Sequence, residues 1–175
     1  IVEICAKGGT KVRDQYLQSF SKPFAPQSKP PVEVPRRDVQ LAILRQKPEL
    51  TTVPADGIET VEVSSLSFRS SDGGFLLVEK RGDEETLYQF LARNFSGNSP
   101  LHAGGWQIVA ATLRIFLEPR EGKKGRALTV TLKTPNTTSV PNKTEAERQF
   151  VYGLLERWNL LAPPPSVAKL FEVID

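Results

Sequence analysis

The spacing of apolar residues alternates between strand and helix periods along this chain, and no other feature constrains its fold as strongly. Residues 58–68 have strand-like spacing that slips at Ser64 and Ser65, which predicts a β-bulge at that point. Residues 70–74 contain two glycines, which supply the positive φ that a hairpin turn needs. Residues 75–78 are all apolar, and we expect them to form the return strand of the hairpin.

The same order of elements then recurs along the chain. A first helix is predicted to open at Gly82 and Asp83, with Leu87, Phe90 and Leu91 as its buried stripe. Residues 105–117 and the alternating stretch Leu128, Val130 and Leu132 predict a second hairpin around a turn at residues 119–125. Thr144 and Glu147 form a capping box, so a second helix is expected to start there and to run to Trp158.

Two successive strand–strand–helix (ββα) units predict a domain of the α+β class. The most economical arrangement is a four-stranded antiparallel sheet with both helices on one face. We expect this core to span residues 56–162, with a tail at residues 163–175. Residues 1–55 are expected to form an N-terminal arm that has a short helix at residues 10–20, a proline-rich linker and a second short helix capped by Asp38.

Composition excludes several kinds of site. The chain has one cysteine, Cys5, and one histidine, His102, so neither an internal disulfide nor a Cys/His zinc cluster can form. The glycine pairs lack the spacing of a phosphate-binding loop, so no cofactor is expected. No metal ligands are predicted, although carboxylate-only sites for Mg²⁺ remain an open alternative. The longest apolar runs are only a few residues, so we expect no membrane segment. An intracellular, cytoplasmic protein fits this cysteine usage.

The chain begins at Ile1 and contains no methionine. We therefore expect it to be a domain of a larger protein. Because the sequence carries no specific catalytic signature, a non-catalytic binding or regulatory module is the favoured interpretation.

Basic residues cluster around the predicted turn of the second hairpin. A cationic loop with glycines can follow phosphates, and each contact releases counterions. Trp106 and Phe116 are predicted on one exposed face of the preceding strand, where aromatic rings can stack on bases. The alternative is that these lysine and arginine residues belong to an ordinary solvent-exposed surface with no binding role. The candidate contacts to nucleic acid or another polyanion are Arg114, Arg120, Lys123, Lys124, Arg126 and Lys133.

A metal-dependent nuclease is an alternative. Such enzymes hold Mg²⁺ between an acidic residue on one strand and an acidic residue followed by a basic one on the next. Asp72, then Glu79 with Arg81, comes nearest to this pattern. Asp72 also suits the hairpin turn in which it is predicted to lie.

A protein-interaction or purely structural domain is the other alternative. The proline-rich linker can dock on a partner, and an exposed strand edge can accept another strand. This interpretation needs no particular residue.

Overall fold

The computed structural model describes residues 9–24, 36–80, 82, 84–119 and 125–163. The chain divides into two compact units, which are described separately. One unit contains helix α1 (Gly9–Phe24), on which Tyr16 is exposed. The predicted helix at residues 10–20 is therefore present and longer than expected. The proline-rich linker after it and the tail after residue 163 lie outside the described residues.

The other unit, Arg36–Pro164, is built on a five-stranded antiparallel sheet. Its strands are β1 (Ile58–Ser70), β2 (Phe75–Glu79), β3 (Trp106–Leu117), β4 (Arg126–Lys133) and β5 (Thr137–Thr138), in the spatial order β2-β1-β3-β4-β5. The α+β class and the antiparallel sheet are confirmed. Five strands replace the expected four because β5 adds a two-residue edge to β4. The division into two ββα units is not confirmed.

Two helices of this unit begin at capping boxes. Helix α2 (Leu87–Phe95) starts after Thr86, whose hydroxyl accepts a hydrogen bond from the Gln89 amide at 3.3 Å. The predicted start at Gly82 was too early, because the cap lies four residues further along the chain. Helix α3 (Glu145–Arg157) starts after Thr144, as the capping box predicts.

The hydrophobic core lies on one face of the sheet. Side chains that are paired across a ladder point to the same face. One such row, Leu66, Ala111 and Leu132, crosses the three central strands and is at most 1% exposed. Leu91 of α2 and Leu154 of α3 belong to the same buried cluster. Both helices therefore pack on this face.

Part of the segment predicted as an arm is also buried in this core. Leu41 and Leu44 are at most 2% exposed, and Val39 forms an isolated antiparallel bridge with Leu161. The hydroxyl of Tyr88 donates a hydrogen bond to the Leu44 carbonyl at 2.8 Å. Instead of a helix capped by Asp38, the segment forms a 3₁₀ helix that follows Leu41, because its apolar side chains turn toward the sheet.

We predict that Leu44→Ala lowers the free energy of unfolding by roughly 2–5 kcal/mol, because it leaves a cavity in the core. Gln46→Ala, an exposed position of the same 3₁₀ helix, is the control and should change stability by less than about 0.5 kcal/mol. Urea denaturation of both variants measures the difference. Equal, small effects would show that this segment is a loosely attached arm.

Candidate functional site

The second face of the sheet carries no helix within residues 36–163. We call it the open face, and its side chains are all exposed or half-buried. The strand registers place the following residues on it: Thr60, Glu62, Ser65, Ser67, Arg69, Phe75, Leu77, Glu79, Gln107, Ala110, Thr112, Arg114, Phe116, Ala127, Thr129, Thr131, Lys133 and Thr137.

Small side chains occupy the centre of the open face. Ser65, Thr112 and Thr131 form one row across the three central strands, and Ser67 and Ala110 are paired in the next. The hydroxyls of Thr112 and Thr131 lie 3.5 Å apart and can hydrogen-bond to each other. Because no large side chain rises from this centre, a flat or extended ligand can approach it closely.

An aromatic ring and a cation lie together at one end of β3. The Arg114 guanidinium is centred 4.7 Å from the Phe116 ring centroid, within the range of a cation–π contact. Its Nη1 also donates a hydrogen bond to Glu62 Oε1 at 2.8 Å, and each side chain of this ion pair is about one-third exposed. Glu62 and Phe116 thus fix the orientation of Arg114, and Glu62 offsets its charge.

The predicted basic cluster is only partly brought together. Lys133 is exposed and pairs in register with Ala110, so it shares the open face with Arg114. Arg126 pairs in register with Leu117 and points to the helix side, where it forms a 2.7 Å ion pair with Glu147 of α3. The remaining three candidates, Arg120, Lys123 and Lys124, lie outside the described residues.

Trp106 does not share the exposed face with Phe116 as predicted. The β1–β3 register shifts between Ser67 and Phe68, which leaves Val109 as an extra residue on β3. This shift turns Trp106 to the helix side, where it packs half-buried against the core. The Trp106 carbonyl accepts a hydrogen bond from Arg45.

Two exposed apolar residues of the open face were missed by the sequence reasoning. Phe75 is 61% exposed and Leu77 is 54% exposed. Both lie on β2 and alternate with Leu76 and Val78, which face the helices. Since all four are apolar, their spacing does not show which pair is exposed, and the β1–β2 register is what places Phe75 and Leu77 on the open face.

Asp72 and Glu79, the residues of the nuclease alternative, lie at opposite ends of β2. Asp72 is in the hairpin turn, where the Ser70 hydroxyl donates a hydrogen bond to it and the Gly74 amide does so at 3.4 Å. These bonds, led by that from Ser70, lower the pKa of Asp72. From Phe75 to Glu79 the strand advances about 13 Å, whereas ligands of one Mg²⁺ lie about 2 Å from it.

The described residues contain no group of three His, Cys, Asp or Glu side chains that can hold a metal ion. None of their helices is both long enough and apolar enough to cross a membrane. Comparison of the chain with protein-family models, with curated proteins and with solved structures found no match in any of the three. The function must therefore be argued from the geometry alone.

We predict that the stability contributed by Glu147 depends on pH. Hydrogen bonds from the backbone and side chain of Thr144, and then the contact with Arg126, hold the pKa of Glu147 below its ordinary value of 4.5. The stability that Glu147 contributes is therefore complete above the pKa that its carboxyl has in the unfolded chain. It is lost as pH falls through the pKa of the same carboxyl in the folded protein. Urea unfolding should show Glu147→Gln less stable than the wild type at neutral pH, and the gap should close in acid.

Thr144→Ala is the matched control for this prediction, because it removes one of the hydrogen bonds that lower the pKa. In the Thr144→Ala background, the effect of Glu147→Gln on the free energy of unfolding should depend less on pH. If the difference in free energy of unfolding between wild type and Glu147→Gln stayed the same at every pH, the role given to the ionised Glu147 carboxylate would be contradicted.

Proposed function

We propose that this chain is a non-catalytic binding module that binds single-stranded nucleic acid on its open face. The observation that carries the proposal is the sheet face on which residues 36–163 place no helix, which presents aromatic rings and cations around a flat polar centre. Proteins that bind single strands use this combination, because bases stack on exposed rings while cations contact the phosphates.

Phe116 is the first residue expected to stack on a base. It lies on β3, beside the small centre formed by Thr112 and its neighbours, and Arg114 is already held against its ring. A base that stacks on Phe116 also gains the planar guanidinium as a neighbour, and arginine contributes to such stacking. Phe75, 61% exposed on β2, offers a second ring on the same face.

Arg69 and Lys133 are the exposed cations of the open face, whereas Arg114 is half-buried. Arg120, Lys123 and Lys124 lie in the sequence between the end of β3 and the start of β4. We propose that they add further phosphate contacts. Arg126 contributes less, because Glu147 already pairs with it.

A single strand suits this surface better than a duplex does. Reading a B-form duplex requires an element, usually a helix, that enters the major groove. Among residues 36–163 no helix protrudes from the open face, and its centre is made of small side chains. Unpaired bases can lie flat on such a surface. No observation favours the nuclease, since Asp72 lies in the hairpin turn and Glu79 at the far end of β2.

We predict that the chain binds a labelled single-stranded oligonucleotide in a fluorescence-anisotropy titration. The affinity should fall with salt, with a log–log slope of roughly −0.7 for each phosphate contacted. Phe116→Ala should weaken binding by roughly 1–3 kcal/mol, since a stacking partner is lost. Arg69→Ala with Lys133→Ala should weaken binding and also make the salt slope shallower.

The control for charge is the pair Arg36→Ala and Lys143→Ala, which removes two cations at positions outside the sheet. This variant should bind nearly as well as the wild type. The proposal is wrong if no binding occurs at low salt, or if the two double variants lose affinity equally and Phe116→Ala loses none.

A further inference from the structure

The outer edge of β2 carries backbone groups that point away from the sheet. Within the described residues, β2 pairs only with β1. The amide of Ser70 donates to the Gly74 carbonyl at 2.9 Å, and the amide of Lys80 donates to the Ser64 carbonyl at 3.0 Å. Because inward and outward groups alternate along an antiparallel strand, the N–H and C=O groups of Phe75 and Leu77 point outward.

Residues 75–78 of this edge contain neither lysine, proline nor a bulge. Natural sheets guard such edges with lysine, proline or a bulge. Two of the three β2 residues with outward backbone groups, Phe75 and Leu77, carry large apolar side chains that are more than half exposed. On the other side of the strand, Leu76 lines a shallow depression with Phe90 and Phe95 of α2. Apolar surface therefore borders the edge on both faces.

We propose that a second copy of this chain pairs with this edge, so that β2 lies antiparallel to β2 of the other copy across a two-fold axis at Leu77. A two-fold contact requires a patch that complements itself. In this register, Leu77 meets Leu77 of the second copy, and Phe75 meets Glu79 of the second copy. Phe75, Leu77 and Glu79 follow one another at intervals of two residues along β2. At each of these pairs, the outward backbone groups of one copy therefore meet those of the other.

The charges that flank the apolar centre fit the same register. Arg69 is paired with Phe75 across the β1–β2 ladder, at one end of the edge, and Glu79 lies at the other end. Antiparallel pairing brings Glu79 of each copy to the end where Arg69 of the other copy lies. Opposite charges therefore approach each other twice, whereas an arbitrary peptide strand offers no such match.

This pairing joins two sheets edge to edge and makes their open faces continuous. It does not depend on nucleic-acid binding, because it is carried by the backbone and apolar residues of β2. The paired segment has only five residues on each copy, so the interface is small. We expect a concentration-dependent equilibrium between monomer and dimer, as is usual for interfaces below about 1,200 Å².

Sedimentation equilibrium of the whole 175-residue chain, from low micromolar concentration upward, tests this proposal. The wild type should dimerise as the concentration rises. Leu77→Pro should weaken association by roughly tenfold or more, because each copy loses a hydrogen bond at the axis. Proline is tolerated at an edge position whose N–H points outward, so the variant should stay folded by circular dichroism.

Two further variants keep the test decisive. Leu77→Lys retains the backbone N–H but places like charges together at the axis, and it should also be monomeric. Val53→Thr changes another exposed apolar residue, 46% exposed and outside the sheet, and should dimerise like the wild type. If the wild type stayed monomeric at every concentration, the proposal would be overturned. A dimer unaffected by both Leu77 variants would also overturn it.

Discussion

The pairing of β1 with β3 determines which side chains reach the core, and three irregularities in that ladder set its register. At one of them, Ser64 is inserted between Val63 and Ser65, and its hydroxyl donates a hydrogen bond to the Thr112 carbonyl at 3.2 Å. Leu66 lies three residues after Val63, so in a regular strand the two side chains would point to opposite faces. The bulge brings both to the helix side, and the small polar residues that follow it remain on the open face.

Part of this arrangement is readable from the sequence. The bulge at Ser64 was predicted because the apolar spacing slips from odd to even positions there, and helix α3 was predicted because its capping box is local. The bulge at Val109 was not, because its neighbours are all apolar and a shift among them leaves no gap in the pattern. The burial of Leu41 and Leu44 depends on contacts with distant parts of the chain, which local periodicity does not record.

The candidate site was predictable to a smaller extent. Arg114 and Phe116 are two residues apart on one strand, so their shared face follows from strand periodicity alone. Arg126 was grouped with them because it is close in sequence, but its position in the register turns it toward Glu147. The exposure of Phe75 and Leu77 follows from the face that the β1–β2 register gives them, and that register cannot be read from four consecutive apolar residues.

The central claim is that the open face is the working surface of this domain. An NMR titration of the isotope-labelled chain with a short single-stranded oligonucleotide tests it most directly, because each backbone amide reports its own surroundings. The account predicts that the largest shift changes fall on the central rows of the open face, at Ser65, Thr112 and Thr131, and on Phe116. Shift changes confined to α2 and α3, or no changes at saturating oligonucleotide, would contradict it.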